Sequence, residues 1–290
     1  MPTVGIPRAL LFFRYYPVIK SFFEALGAEL VVSEATSRAT LAAGLKCVVA
    51  ETCLPLKAYC GHIFDLMGKA DFVFVPSVRS VEKDLYNCIK LFALPDQVRG
   101  AIPNAPPVLD IMLDINLGRD VVYKELRSLG KRIGATKAKV DRAADQALKA
   151  HARYTELLHR GFTPDQAMEM MDGRSESAFP VAQLGPDAPK VALLGHPYNL
   201  YDDYLSHDLT RKLQRLGIRV VAADTLSPDE ANEGVWRIIG SPYWMNEMEL
   251  TGAAGHFLYN RQVDGVIIVT MFGCGPDSMM LDAVQRVAKR

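Results

Sequence analysis

Apolar residues arrive in short bursts along this chain, and the order of the bursts repeats. Residues 3–33, TVGIPRALLFFRYYPVIKSFFEALGAELVVS, open with a brief apolar run. They pass through a proline-bearing turn into helix-like spacing and close on Leu26-Gly27 and a second apolar run. Residues 190–224, KVALLGHPYNLYDDYLSHDLTRKLQRLGIRVVAAD, follow the same order. In the first copy Val18, Ile19, Phe22, Phe23 and Leu26 share one helix face; in the second Leu205, Leu209, Leu213 and Leu216 do so. Gly27 and Gly217 stand where helices end, and Pro17 suits a first helical turn. Each copy predicts strand–loop–helix–strand, a βαβ unit with a parallel strand pair.

Further strands are expected at 72–76 (FVFVP) and 263–271 (VDGVIIVTM), with shorter candidates at 45–51 and 107–115. Continuous apolar runs of this length suit parallel strands buried on both faces. Between the repeats, residues 119–133 and 136–160 are rich in helix formers, and Thr163-Pro164-Asp165 signals another helix start. The acids and bases of 119–160 alternate, as on a solvated helix face. Residues 173–189 are polar and proline-bearing, and predict a linker. The expected fold class is α/β. Two Rossmann-like lobes with parallel sheets are related by the approximate repeat and joined by a helical insert. The expected boundaries are 1–117, 118–189 and 190–290. A cleft between such lobes, at the carboxyl ends of parallel strands, is where α/β proteins bind ligands.

Composition narrows the function. The 290 residues are 49% hydrophobic and 23% charged, which argues for globular structure. Lysine plus arginine equals aspartate plus glutamate, 33 each, so no global field favours nucleic acid or an anionic membrane. No apolar run approaches the roughly 20 residues that span a bilayer. Pro2, Pro7 and Arg8 interrupt the stretch a signal peptide would need, so a cytoplasmic protein is expected.

The cysteines are Cys47, Cys53, Cys60, Cys88 and Cys274: an odd number, without a CxxC pair. A disulfide framework is not expected, and buried thiols acting as small hydrophobes are the plain reading. Three of them, however, fall in loops after candidate strands. Cys274 lies in FGCGPD between two glycines, where Pro276 and Asp277 could open a helix whose N-terminus would stabilise a thiolate. Cys53 lies in ETCLPLK and Cys88 in YNCIKLFALPD. His196, in the loop of the second repeat, is a candidate ligand contact. Arg8, in the matching loop of the first, could hold an anionic group. Tyr243 and Trp244 are expected in the core, with the capping of an interface as the alternative.

The strings GIPRALLFFRYYP, ETCLPLKAYCGH, FVFVPSV with NCIKLFALPD, PYWMNEMELTGAA and VDGVIIVTMFGCGPDS carry a resemblance over residues 5–278. The chain resembles acyl-CoA dehydratase activase-related proteins, which are similar in turn to 2-hydroxyacyl-CoA dehydratase subunits and double-cubane cluster proteins. The resemblance implies an iron–sulfur cluster at the lobe interface, held by Cys53, Cys88 and Cys274. The chain departs from the family at Ile89, where proline is usual, and it stops at Arg290, where relatives continue with a strand and an acidic, histidine-bearing segment. Either a truncated chain or a short variant is expected there.

Thiolates are soft ligands suited to iron–sulfur sites. In a [4Fe–4S] cluster three cysteines leave one iron for water, substrate or another side chain, with Cys60, His62 and Glu51 as candidates. Zinc competes less well, since its structural sites usually show close cysteine pairs. Neither GxxxxGK[ST] nor GxGxxG occurs, so the chain itself is not expected to hydrolyse ATP.

The resulting expectation is low-potential electron transfer, or reduction of a small substrate, with an ATP-dependent activase or other redox protein as partner. Two copies of the chain could also pair. The alternative is a two-lobed small-molecule-binding or scaffold module without a cluster, using Arg8 and His196. A dehydratase or reductase acting on acyl-CoA rests on resemblance alone.

Overall fold

The computed structural model describes residues 1–179, 185 and 187–289. The linker expected over 173–189 lies partly outside the described residues, and the chain end at Arg290 lies wholly outside them. The chain divides into two compact units, Met1–Ala152 and Arg153–Arg290.

The first unit runs β1 (Thr3–Ile6), α1 (Phe12–Ala25), β2 (Glu29–Val32), α2 (Arg38–Gly44), α3 (Leu54–Leu66), β3 (Phe72–Phe74) and β4 (Ser77–Ser80). It continues through α4 (Ile89–Phe92), α5 (Leu94–Ala101), β5 (Val108–Leu109), β6 (Met112–Asp114) and α6 (Arg119–Arg132) into α7 (Lys137–His159), which crosses the division. β2, β1, β3 and β5 form one parallel sheet, and β4 pairs with β6 in a second. Val4 and Val73 are fully buried in the central strands of the main sheet, as their apolar runs should be, and Leu109 is fully buried in the edge strand β5.

The second unit runs α8 (Pro164–Met171), β7 (Lys190–Leu194), α9 (Pro197–Leu200), α10 (Leu209–Arg215), β8 (Arg219–Ala222), α11 (Pro228–Ile238), α12 (Met245–Asn260), β9 (Gly265–Ile268) and α13 (Gly275–Ala288). Its sheet is parallel in the order β8-β7-β9. The fold is thus α/β with parallel, Rossmann-like sheets. In both units the first strand is central, the second lies on one side and the third on the other.

The repeat extends further than the apolar pattern alone predicts. In each unit a helix pair separates the second and third strands, α2 with α3 and α11 with α12. Each pair meets backbone to backbone at glycine. A Cβ on Gly61 would lie 2.0 Å from the Thr40 carbonyl oxygen, and one on Gly44 would lie 1.7 Å from that of Lys57. In the second unit a Cβ on Gly255 would lie 2.1 Å from the Gly234 oxygen, and one on Gly234 would lie 1.9 Å from that of Gly252. A buried histidine follows the glycine in both, Gly61-His62 and Gly255-His256.

Five local expectations are corrected. The run 45–51 is not a strand. α2 delivers the chain there in turns, and Leu45 and Val49 are exposed. The run 107–115 is two strands in two different sheets, broken at Asp110-Ile111. Pro17 lies inside α1, not in its first turn, because burial of Phe12 and Phe13 starts the helix earlier. Leu216 is 76% exposed, because α10 has already ended and Gly217, at φ +76°, turns the chain away. Tyr243 is also exposed rather than core: it precedes α12, where the Glu247 carboxylate accepts the amides of Tyr243 and Trp244 at 2.9 and 3.0 Å.

Gly61→Ala and Gly234→Ala should each lower stability in urea unfolding by about 1–3 kcal/mol, because the added methyl forces the helix pair apart. Gly100→Ala, in α5 with open space around it, should instead raise stability by up to about 1 kcal/mol.

Candidate metal centre

All three cysteines in loops after candidate strands stand at helix N-caps. Cys53 caps α3, Cys88 caps α4 and Cys274 caps α13, with Pro55 and Pro276 in the first turns of α3 and α13. At an N-terminus backbone N–H groups lack intrahelical partners and favour negative charge. None of the five cysteines is in a disulfide.

In the first unit Cys53 and Cys88 lie within electrostatic reach of each other. Burial pushes the Cys88 thiol up and a charge on Cys53 pushes it further, while the amides of Lys90 and Leu91 and the Lys90 charge pull it down. The other two cysteines have a different character. Cys47 directs its Sγ at the carbonyl oxygens of Ala43 and Gly44, 3.5 and 3.3 Å away, and burial raises its pKa. Cys60 is fully buried, and desolvation first, then Cys47, pushes it to about 12. A thiol so raised stays protonated and packs as a hydrophobe.

The candidate fourth ligands near Cys53 are placed as follows. His62 is fully buried, with Nδ1 2.9 Å from Ser33 Oγ and Nε2 2.9 Å from Thr36 Oγ1, so both ring nitrogens are engaged. Glu51 is exposed. Arg8 is half-buried; its guanidinium lies over the Phe12 ring at 5.5 Å and its amide donates to Ser33 Oγ at 2.8 Å.

In the second unit the loop after β7 presents His196, the N-cap of α9. This loop can run beside the end of β9 only because residue 195 is glycine: a Cβ there would lie 2.7 Å from the Val269 oxygen. His196 Nε2 is 2.6 Å from Asp277 Oδ1, and each side chain is only 3% exposed. Asp277 occupies the first turn of α13. Gly273, at φ +82°, bends the chain into that turn, and the Cys274 amide donates to the Met271 oxygen at 3.1 Å. Donor atoms of His196, Cys274 and Asp277 all lie within 4.8 Å of one another, so the three together could hold a metal ion. Asp277 Oδ2 is buried without a hydrogen-bond partner, as are both polar side-chain atoms of Asn199.

Within each unit the donor chemistry suits a thiolate-bound metal: helix-capped, partly buried sulfurs at 53 and 88 in the first, and at 274 in the second, where a carboxylate oxygen without a hydrogen-bond partner lies nearby. Of the residues singled out from the sequence, the described structure brings His196 and Cys274 together and places neither Cys53 nor Cys88 with them. Sequence reasoning misses Asp277 as the partner of His196 and reads it only as a helix opener. The signal available for it is its place three residues after Cys274, in the first turn of the same helix.

Residues 3–226 match a family model described as CoA enzyme activase uncharacterised domain. The match takes in Cys53, Cys88 and His196 and ends before Cys274. No curated protein matches the chain.

Burial depresses His62 to about 4 from an ordinary 6.5, Asp65 opposing and Arg8 adding to the fall. The unfolded chain therefore takes up this proton at a higher pH than the native one. The stability this group contributes is full above about pH 6.5, falls by up to about 3 kcal/mol as pH drops toward 4, and then levels off. Urea midpoints measured from pH 7 to 4 should fall for the native chain and fall less for His62→Gln. Identical slopes would assign the pH dependence to other groups.

Proposed function

The chain belongs to the CoA enzyme activase domain family. From that premise we propose that it is an iron–sulfur protein which passes low-potential electrons, or reduces a small substrate, beside an ATP-dependent activase. The ligands proposed for a [4Fe–4S] cluster are Cys53, Cys88 and Cys274. The observation that carries this reading is that these three of the five cysteines cap helix N-termini, whereas Cys60 is buried with its pKa near 12.

When bound, such a cluster supplies one-electron chemistry at a potential set by burial and by hydrogen bonds to the sulfurs. The chain's own residues prepare for it. The amides of Lys90 and Leu91 favour the Cys88 thiolate. The His196–Asp277 contact fixes the first turn of α13, and with it Cys274.

A protein partner is supported by apolar side chains left in solvent beside two of the thiols. Ile89, next to Cys88, is 67% exposed, and Phe272, two residues before Cys274, is fully exposed. Surfaces of this kind suit a partner, whether an activase or a second copy of the chain. No described helix is long and apolar enough to cross a membrane. Thiolate ligation suits a reducing compartment, which for this reading is the cytoplasm.

A second reading, a small-molecule-binding module without a cluster, is favoured by one feature. A cavity of about 330 Å³ in the first unit is lined by Tyr15, Phe22, Phe74, Ile111, Leu126 and His151 among others, and by no cysteine. Its walls suit an uncharged apolar ligand rather than the anion expected near Arg8.

Protein purified without oxygen should carry about four irons and four sulfides per chain, with a broad absorption band near ~400 nm. Cys53→Ala, Cys88→Ala and Cys274→Ala should each remove or cripple that content, and Cys47→Ala should leave it intact. Absence of iron and sulfide after reconstitution would overturn this reading in favour of the second.

A further inference from the structure

Asp277 poses a physical problem in the described chain. Its carboxyl group is 3% exposed, one oxygen meets His196 and the other meets nothing. A buried carboxylate with an unsatisfied oxygen is costly, and a thiolate at Cys274 would add a second negative charge within 4.8 Å. A cation at this point would neutralise both. The donor set of one imidazole nitrogen, one sulfur and one carboxylate oxygen is that of a borderline-soft divalent ion, not of calcium or magnesium. A tetrahedral ion with bonds of ~2.0–2.3 Å holds its donors roughly 3.3–3.8 Å apart. That spacing is inside the observed span.

We propose that His196, Cys274 and Asp277 bind a single divalent metal ion of zinc's class in the chain that carries no cluster. The site lies wholly in the second unit and needs neither Cys53 nor Cys88. Binding replaces the Cys274 thiol proton, which passes to solvent, and changes no oxidation state. His196 Nε2 or its other ring nitrogen supplies the imidazole donor, and Asp277 gains a partner for the oxygen that lacks one. The fourth position is left to water. Cluster and ion compete for Cys274, so the ion belongs to the cluster-free chain and cluster assembly has to displace it. The inference shares with the proposed function only the use of Cys274 as a ligand.

Cobalt(II) is the probe, added alone to the full chain after chelator treatment without oxygen. One equivalent should produce sulfur-to-cobalt charge transfer in the near ultraviolet and the visible bands of a tetrahedral ion, and Zn2+ but not Mg2+ should bleach both. Cys274→Ser should remove the charge-transfer band. His196→Gln and Asp277→Asn should weaken binding at least about 10-fold, the floor known even for outer-shell partners. Cys53→Ala/Cys88→Ala should leave the spectrum unchanged. Circular dichroism of each variant separates lost binding from lost folding, and the double variant, with an untouched second unit, tests the site even where a trio variant unfolds. Cobalt bands that survive Cys274→Ser, that disappear in the double variant, or that Mg2+ bleaches would overturn the site, as would the absence of any thiolate–cobalt band. Iron and sulfide content after reconstitution tests the cluster separately, so failure of either reading is visible without the other.

Discussion

Contact between helix backbones at glycine is the constraint on which each unit's arrangement depends. Where Gly61 meets Thr40 and Gly234 meets Gly252, no side chain separates the helices, and even one methyl group would overlap a carbonyl oxygen. Interiors packed at crystal density give little room for such overlap. The close approach fixes α3 against α2 and α12 against α11. Because Cys53 caps α3, the position of its sulfur follows from a contact made two turns further along the helix.

Environment then separates five chemically identical thiols. Cys60 sits on the buried face of α3, where desolvation forbids the thiolate and the sulfur packs as a hydrophobe. Cys53, Cys88 and Cys274 sit where helices begin. For Cys88 the two effects can be named: burial raises the thiol, and the amides of Lys90 and Leu91 draw it back. A metal completes such a balance, since a coordinated sulfur is a thiolate whatever its intrinsic pKa. The buried histidines differ in the same sense. His62 spends both nitrogens on hydroxyl groups of its own unit, whereas His196 engages a carboxylate that still has an oxygen to offer.

Much of this was legible in the chain. Apolar bursts separated by Leu-Gly stops determine the βαβ repeat, because strands buried on both faces need continuous apolar runs and helices need a stop at positive φ. Cys274 in the loop after β9 was visible for a related reason: loops at the ends of parallel strands are where backbone and side chains are free to serve a ligand. Reading was weaker where a local pattern has two outcomes. Residues 45–51 have strand-like composition, but α2 delivers them into turns. Residues 107–115 read as one run, yet the chain changes sheets at Asp110-Ile111.

By itself, then, the sequence determined the fold class, the repeat and the helix start after Cys274, since periodicity, glycine stops and proline placement act over a few neighbouring residues. Only tertiary structure decided that Gly61-His62 and Gly255-His256 occupy matching helix contacts, and that both nitrogens of His62 are engaged. It also decided that Asp277 reaches back across 81 residues to His196 beside Cys274. These depend on distances between segments far apart in the chain, and no local spacing encodes them. Burial made the difference: a carboxylate that reads as a helix opener in the sequence becomes a group in need of a cation once the fold removes it from water.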